Sequence, residues 1–396
     1  MVTIKSYERK LVASRSQTWF QRLDSRHREF IHQCARKYLF TFQELRLVCE
    51  AALDLQMWHE ESLIAWWDGE EAALQHVGRA SKIQLLQGLQ AWLQSLKSMA
   101  KPYPKEGLPK PEPYSLQVVA QHSDKTVLGT CPVASEETVC CNLRTIDAVE
   151  NCGLGCSYCA IQTFYGDKVV FDADLRGKLK NLELSPDRFY HLGTGQSSDS
   201  LMWGNQHGVL DVLSEFASEH PNILLELKTK SRNIDYFLKH RGPSNIVLSW
   251  SLNTPTIIRN EEHFTAQLTE RLTAARRVAD EGIKVAFHFH PLVYYRGWRD
   301  DYRDVVDRVL VQFTSDEVLF VSFGSVTFTK PIIKAIRESR RASKMLQMEL
   351  VPVPKGKLSY PDKIKKEMFG DIYAAFAPWH GKVFMYLCME KAELWK

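Results

Sequence analysis

The strongest signal in this sequence is NCGLGCSYC at residues 151–159, which contains Cys152, Cys156 and Cys159. Three cysteines within eight residues of a glycine-containing loop can bring their thiolates to one face of an iron–sulfur cubane. Such a loop can ligate three irons of a [4Fe–4S] cluster and leave the fourth iron open. A structural zinc site usually takes four protein ligands, and here a distant residue would have to supply the fourth. The loop therefore favours an iron–sulfur cluster over zinc.

The loop directly follows the first of six short apolar or β-branched runs. The runs recur at intervals of about 25–40 residues, and segments such as 208–219 and 262–281 have helical character between them. This repeat predicts an α/β fold with a parallel sheet. Six units are fewer than the eight of a closed barrel, so we predict a partial (βα)6 TIM-like barrel, with its chemistry at the C-terminal ends of the strands. The six predicted strands are 145–150, 188–192, 223–228, 246–252, 284–290 and 318–323.

The segments on either side of the barrel have a different composition. The first hundred residues contain no proline and little glycine, and their apolar residues recur at helical spacing. Five prolines between positions 102 and 113 predict a stiff linker. Between Lys330 and Gly370, eleven Lys and Arg residues outnumber four Asp and Glu, which favours either a phosphate-contacting patch or a solvated helix face followed by a loop. The predicted domains are therefore 1–100 (helical), 101–117 (linker), 118–340 (barrel) and 341–396 (basic extension).

The overall composition limits the classes of protein that fit. Of the 396 residues, 44% are apolar and 25% are charged, which excludes a fully disordered chain. The sequence has no apolar run long enough to span a membrane and no apolar signal core at its start, so we expect a cytoplasmic protein with no membrane partner. The net charge of +4 is too small to indicate a nucleic-acid partner alone. Nine cysteines in such a protein favour metal binding over disulfides.

The cysteine spacing, with an aromatic residue before the last cysteine and a strand before the loop, resembles that of radical S-adenosylmethionine enzymes. The resemblance implies that Cys152, Cys156 and Cys159 ligate a [4Fe–4S] cluster whose open iron chelates S-adenosylmethionine. It also implies that Tyr158 packs against the adenine. Reductive cleavage of this cofactor would release a 5′-deoxyadenosyl radical.

Further segments are similar to spore photoproduct lyase, a DNA-repair enzyme, over about residues 125–340. The resemblance implies a lyase that splits a pyrimidine photolesion in DNA after hydrogen is abstracted from C6 of the lesion. DNA would be the substrate, and a flavodoxin or ferredoxin would supply electrons. The similar segments are CGLGCSYCAIQT at 152–163, KTK at 228–230, SWSLN at 249–253, GW at 297–298 with Tyr302, and FTKP at 328–331.

The resemblance also implies residues that contact S-adenosylmethionine. Lys230 and Ser251 would do so at strand ends, where an ammonium group suits the methionine carboxylate and a hydroxyl can bond to carboxylate or ribose. Lys228 competes with Lys230, because strand alternation puts both on one face. The loop GTGQSSDS at 193–200 would bind the amino group of the methionine moiety. Its candidate residues are Gln196, Ser198 and Asp199.

The sequence departs from the family at the hydrogen donor. In spore photoproduct lyase, a cysteine just after the second strand returns a hydrogen atom to the thymine radical, and our alignment places Gly193 there. Cys140 and Cys141 are the candidate replacements, although cysteines of this kind more often serve as small buried hydrophobic residues. Cys388, near the end of the chain, is a further thiol.

Several alternatives remain open on the sequence. The substrate of the radical chemistry could be a modified nucleobase, a peptide or a small molecule. The protein could instead be a non-catalytic iron–sulfur protein whose helical segment binds a protein partner. His288 and His290 are either polar residues near the substrate or packed interior residues, since they share one face of a strand. Trp298 and Tyr302 either stack on a base or pack in the core.

Overall fold

The computed structural model describes residues 11–13, 16–74, 78–113, 115–130, 137–139, 141, 143–164, 166–339 and 341–395. The chain divides into two compact units. We call Met1–Pro111 together with Thr329–Leu350 the helical unit, and Glu112–Phe328 together with Val351–Lys396 the barrel unit. This division differs from the predicted domain boundaries after residue 328.

Several of the described α-helices begin at a residue whose side chain caps the first turn. In one of them, Phe42–Trp58, Thr41 and Glu44 form a reciprocal capping box that satisfies two backbone amides at the helix start. In chain order the helices are α1 Thr18–Gln21, α2 Ser25–Tyr38, α3 Phe42–Trp58, α4 Leu63–Ala72, α5 Arg79–Ser98, α6 Leu175–Lys180, α7 Val209–Glu219, α8 Asp235–Lys239, α9 Pro255–Glu261, α10 Leu268–Asp280, α11 Trp298–Gln312, α12 Lys330–Glu338 and α13 Asp362–Ala375.

Helix α12 groups with α1–α5 in the helical unit, although it follows the barrel strands in sequence. Arg337 on α12 donates two hydrogen bonds, of 2.7 and 2.8 Å, to the buried carboxylate of Asp54 on α3. Lys344 donates a bond of 2.5 Å to Glu60. Arg337 and Lys344, which belong to the segment predicted as a possible phosphate-contacting patch, are therefore paired with carboxylates of the protein.

The strands of the barrel unit form one large sheet and two small ones. The large sheet has the order β14-β10-β9-β8-β7-β6-β3-β2, and its neighbours pair in parallel except for the antiparallel edge strand β2. The strands are β1 Gln117–Gln121, β2 Leu128–Thr130, β3 Arg144–Ile146, β4 Val149–Glu150, β5 Lys168–Asp172, β6 Tyr190–Thr194, β7 Ile223–Thr229, β8 Ile246–Ser251, β9 Val285–Leu292, β10 Val318–Ser325, β11 Thr327–Phe328, β12 Val351–Val353, β13 Lys357–Ser359 and β14 Phe384–Leu387.

The predicted α/β fold is confirmed as a curled half-barrel sheet. Strands β3, β6, β7, β8, β9 and β10 correspond to the six predicted runs and lie side by side in chain order. Two details of the prediction were wrong. Strand β14 adds a seventh parallel strand from within the segment predicted as a basic extension. The helix predicted over 262–281 begins only at Leu268, because Gln267 and Glu270 form a capping box that starts it there.

Side chains alternate between the two faces of each barrel strand. The outer face is apolar and packs under the helices, with buried residues such as Leu225, Trp250 and Phe287. The inner face carries polar residues that bond across strands, among them Glu226 and His288. This polar interior therefore leads along the strands to their C-terminal ends. No helix in the described part of the chain is long and apolar enough to cross a bilayer.

Candidate active site

The cysteine loop is held in place by its neighbours on both sides. Asn151, at φ 75°, donates side-chain hydrogen bonds of 2.9 and 2.8 Å to the carbonyls of Gly166 and Lys168. On the other side, the Ser157 amide donates to the Glu261 carbonyl at 2.8 Å. The loop is thus anchored on this side to the last residue of α9.

The three cysteines border one small cavity at the C-terminal ends of the strands. We call it the cluster cavity, and its volume is about 90 Å³. Among the described residues, no group of three or more His, Cys, Asp or Glu side chains is arranged to hold a single metal ion. The lining includes most of the predicted cofactor residues, namely Cys152, Cys156, Cys159, Tyr158, Ser198, Asp199, Lys230 and Ser251, together with Gly195, Lys228 and Thr229.

Burial raises the pKa of all three thiols above the usual value. For Cys156 the nearby Glu262 carboxylate raises it further, while Lys230 opposes the shift. A thiolate at this place needs a cationic partner, because the low-dielectric surroundings penalise an isolated negative charge. The site is therefore suited to hold a positively charged inorganic group.

Tyr158 is fixed by a buried ion pair that sequence reasoning missed. Its hydroxyl donates to Glu262, and Glu262 pairs with Arg271, whose side chain is also fully buried. Burial opposes ionisation of Glu262, but the Arg271 and Lys230 cations hold its pKa below the usual value. Arg271 also donates to the Ser251 carbonyl at 2.8 Å. The pair thereby links the cysteine loop to the end of β8.

Asp199 holds the predicted binding loop in place through hydrogen bonds to the protein. Its carboxylate accepts hydrogen bonds from the amides of Leu201, Met202 and Lys230 and from the Thr229 hydroxyl, at 2.7–3.0 Å. Since these four donors occupy both oxygens, Asp199 fixes the loop to the end of β7. Sequence alone did not indicate this role.

The backbone conformation explains why position 195 of the same loop is a glycine. Gly195 adopts φ +89°, and a Cβ built on it would lie 2.8 Å from the Lys228 carbonyl oxygen and 2.9 Å from the Ser200 hydroxyl oxygen. Any side chain would therefore strain the backbone and displace its neighbours. The residue lets the chain pass close to β7 while it borders the cluster cavity.

Lys228 and Lys230 both line the cluster cavity, in agreement with strand alternation. The ammonium group of Lys230 also makes a cation–π contact with Tyr158, 5.8 Å from the centre of the ring. Ser251 ends β8 beside them and is nearly fully buried. The structure therefore offers two cations and one hydroxyl at the same end of the barrel.

The structure does not bring every predicted site residue to this cavity. Gln196 is half-buried and does not line it. Cys141 packs against the inner cluster of Val247, Ala286, Phe320 and Tyr386, below the cavity. Cys140 lies outside the described residues. At Gly193 a Cβ would meet the Leu143 side chain at 3.0 Å, so Leu143 occupies that part of the interior.

A polar network fills the interior beneath the strand ends. Glu226 on β7 contacts His191 at 2.9 Å, His288 at 2.5 Å and Ser249 at 2.6 Å. His288 continues the network to Ser322 at 2.5 Å. Burial and nearby Lys228 lower the pKa of His288 to about 4. A charged residue, Glu226, inside the otherwise apolar run ILLEL at 223–227 was the sequence signal that could have identified this network.

A larger cavity lies on the other side of Tyr158. We call it the substrate-side cavity, and its volume is about 260 Å³. His290, Gly324 and Cys388 line it from the ends of β9, β10 and β14. Three lysines contribute to its wall, and one of them, Lys365, is buried in a 2.7 Å ion pair with Glu390. The other two are Lys357 and Lys391.

Of the two alternatives for Trp298 and Tyr302, the structure supports packing in the core. Tyr302 is fully buried, and Trp298 is only 5% exposed. The Tyr302 hydroxyl donates to the Asn253 side chain at 2.8 Å and accepts from the Val293 amide at 2.9 Å. Both rings therefore pack in the core. His290, in contrast, reaches the substrate-side cavity.

Comparisons with known proteins agree with this architecture. A family model described as "Spore photoproduct lyase" matches residues 144–357. The chain is 24% identical over 231 residues to spore photoproduct lyase of Clostridium acetobutylicum, covering 56% of this chain and 64% of the relative. It is 25% identical over 200 residues to the Bacillus subtilis protein of that name, covering 48% and 58%. The matches thus span less than two thirds of these relatives' length.

Solved structures show the same fold. Spore photoproduct lyase complexed with dinucleoside spore photoproduct superposes with a TM-score of 0.57 at 20% identity, over 68% of this chain and 81% of that one. A variant of spore photoproduct lyase with bound AdoMet and dinucleoside spore photoproduct gives 0.57 at 21% identity over the same shares.

Proposed function

The chain belongs to the spore photoproduct lyase family, and on that premise we propose that it is a radical S-adenosylmethionine lyase that splits a pyrimidine photolesion in DNA. The observation that carries the proposal is the cluster cavity. Three cysteines, a glycine loop and two strand-end lysines border it together, although they come from separate segments of the sequence.

The proposed cofactors are a [4Fe–4S] cluster and S-adenosylmethionine. Cys152, Cys156 and Cys159 would hold the cluster, and their burial suits thiolates that are neutralised by iron. When bound, the reduced cluster supplies the electron that cleaves S-adenosylmethionine to methionine and a 5′-deoxyadenosyl radical. The chain contributes binding, orientation and exclusion of water around that chemistry.

The remaining cavity residues would bind S-adenosylmethionine. Lys230, or Lys228 beside it, offers a positive charge to the methionine carboxylate, and Ser251 offers a hydroxyl. Tyr158 offers its ring to the adenine, with its orientation fixed by the bond to Glu262. Ser198 lines the cavity, but its hydroxyl oxygen already accepts a 3.2 Å bond from the Trp203 ring. We assign Asp199 to positioning of the loop rather than to direct contact.

The substrate-side cavity would receive the lesion. It shares Tyr158 with the cluster cavity, so a ligand placed in it lies next to the proposed cofactor site. Lys357 and Lys391 on its wall suit the phosphates of a DNA strand. The relative whose structure holds dinucleoside spore photoproduct supports a damaged dinucleotide as the ligand.

The proposed partners extend beyond the substrate. A flavodoxin or ferredoxin would supply electrons, and the protein would work in the cytoplasm. We propose the helical unit as a protein-binding module. Its support is the pair Trp66 and Trp92, whose half-buried rings stack with centroids 5.3 Å apart.

A second substrate class is favoured by one observation. Position 193, which our alignment matched to the family's hydrogen donor, is a glycine with the Leu143 side chain beside it. Radical chemistry on another modified nucleobase would need no donor at that position.

An anaerobic repair assay tests the proposal. The full chain with a reconstituted cluster is incubated with dithionite, S-adenosylmethionine and an oligonucleotide that carries one spore photoproduct, and the matched control is the undamaged oligonucleotide. We expect 5′-deoxyadenosine and restored thymine with the damaged strand. Formation of 5′-deoxyadenosine without repair would contradict the DNA substrate and favour the second class. If neither product forms, the proposal that the protein is an enzyme is contradicted.

A further inference from the structure

We propose that Cys388 donates the hydrogen atom that quenches the carbon radical left on the released base. This inference rests on the proposed lyase function and assigns a residue to its last chemical step. It begins from β14, the strand that the sequence analysis did not predict.

The backbone pairing of β14 determines where Cys388 points. Ser322 on β10 pairs with Tyr386, and the Cys388 amide continues the ladder with a 2.7 Å hydrogen bond to the Phe323 carbonyl. Tyr386 packs in the interior against Phe320. Because alternate residues of a strand share a face, Cys388 lies on the inner face, one layer closer to the C-terminal end.

The cavity lining agrees with this direction. Cys388 borders the substrate-side cavity together with Tyr158, His290 and Gly324. Tyr158 also borders the cluster cavity, so both cavities meet at its ring. A base in the larger cavity would therefore have the proposed radical source on the Tyr158 side and the Cys388 thiol on the β14 side.

The other described thiols are placed differently. Cys152, Cys156 and Cys159 are the proposed cluster ligands. Cys34 and Cys49 lie in α2 and α3 of the helical unit. Cys141 packs against the inner cluster below the cavities. Among the cysteines that the structure describes, Cys388 alone lines the substrate-side cavity.

The proposed step balances as a single hydrogen-atom transfer. The S–H bond of Cys388 breaks homolytically, a C–H bond forms at the base radical, and the unpaired electron moves to sulfur. The thiyl radical returns to the thiol when it accepts a hydrogen atom from a small-molecule thiol, or one electron from the cluster's electron donor together with a proton. A serine hydroxyl cannot replace the thiol, because an alcohol O–H bond is much stronger than an S–H bond.

Solvent isotope labelling tests the step. Thiol hydrogens exchange with water, so repair in D2O by the full wild-type chain should place one deuterium on each restored thymine. In Cys388→Ala and Cys388→Ser we expect this deuterium and the yield of thymine per 5′-deoxyadenosine to be lost. The matched control is Cys34→Ala, which removes a buried thiol of the helical unit and should retain both.

A second measurement does not require the loaded enzyme. The full chain without cluster is treated with iodoacetamide, and alkylation of each cysteine is quantified by mass spectrometry. We expect the dinucleotide thymidylyl-thymidine to slow alkylation of Cys388 and to leave that of Cys141 unchanged. Equal alkylation of Cys388 with and without the dinucleotide would contradict its place in the substrate-side cavity.

The outcomes separate this inference from the proposed function. If wild-type protein forms neither 5′-deoxyadenosine nor thymine, the lyase function fails, and the donor assignment fails with it. If wild-type protein repairs the lesion and Cys388→Ser repairs it with the same deuterium content, only the assignment of Cys388 is overturned. Loss of deuterium in Cys141→Ala but not in Cys388→Ala would move the donor to Cys141.

Discussion

The cluster cavity and the substrate-side cavity share the Tyr158 ring but are assembled differently. The first depends on one nine-residue loop and on strand ends that carry short motifs. The second is lined mostly by residues from β9, β10, the β12–β13 segment and the end of β14. The three proposed cluster ligands thus lie in one short loop, whereas the surface proposed to select the substrate is created by folding.

The largest expected effect concerns the local motif. Cys156→Ala should remove one cluster ligand and abolish both iron–sulfur absorbance and S-adenosylmethionine cleavage after reconstitution. Iron content and 5′-deoxyadenosine are the measurements, and Cys34→Ala is the control. Wild-type cleavage by the variant would show that the three-cysteine loop does not carry the chemistry.

The buried pair behind Tyr158 should carry the next largest effect. Glu262→Gln leaves the Arg271 guanidinium buried without its counter-charge, which should cost about 3–5 kcal/mol in the free energy of unfolding. Urea unfolding, monitored by hydrogen exchange in peptides of α10, measures this loss of stability.

The control for this change is Glu367→Gln. Glu367 pairs with Arg299 on the surface, and Arg299 keeps Asp371 as a second partner, so little stability should be lost. Equal losses of unfolding free energy in both variants would contradict a supporting role of the Glu262–Arg271 pair for the cysteine loop.

The polar network beneath the cavities predicts a pH dependence. Because the folded pKa of His288 is about 4, below its ordinary 6.5, the unfolded chain binds the proton more readily between these values. Stability should therefore be intact above pH 6.5 and fall by about 3 kcal/mol as the pH approaches 4. Glu226, whose pKa is lowered well below its usual range despite burial, adds a loss of the same sign at lower pH.

Urea unfolding at several pH values measures this dependence. His288→Gln should show a shallower decline between pH 6.5 and 4 than the wild-type chain, because the titrating ring is absent. An equally steep decline in the variant would assign the effect to other groups.

The smallest expected effect concerns the substrate-side wall. Lys357→Gln should weaken binding of an oligonucleotide and lower the slope of log affinity against log salt by about one. Fluorescence anisotropy at several salt concentrations measures this slope. Lys239→Gln, on the exposed side of α8, is the control. An unchanged slope in Lys357→Gln would exclude a phosphate contact at this position.

The sequence was sufficient for the half-barrel and for much of the cluster cavity. Periodic apolar runs located six strands, and alternation placed Lys228 and Lys230 on one face. It was insufficient where tertiary contacts decide. Glu262 had no motif, because it lies in a loop that looked helical and its role depends on Arg271, nine residues later in α10. From the sequence, Asp199 was a candidate to contact the cofactor. Only the fold shows that four hydrogen-bond donors of the protein already contact its carboxylate.

The substrate-side cavity shows the same limit. Strand β14 is only four residues long and lies in a segment whose lysines dominated its interpretation. Its pairing with β10 brings Cys388 into the cavity, and neither partner's sequence indicates that pairing. For Trp298 and Tyr302 the sequence left stacking on a base and packing in the core open, and only the fold shows that both rings are buried.

The central claim is that the two cavities form one active site around Tyr158. Its most direct test uses dinucleoside spore photoproduct that carries deuterium at C6, with the reduced, cluster-loaded chain and unlabelled S-adenosylmethionine. We predict that deuterium from the lesion appears in 5′-deoxyadenosine or in recovered S-adenosylmethionine, because the lesion lies beside the proposed cofactor site. Absence of deuterium from both 5′-deoxyadenosine and recovered S-adenosylmethionine at saturating dinucleoside would contradict the claim.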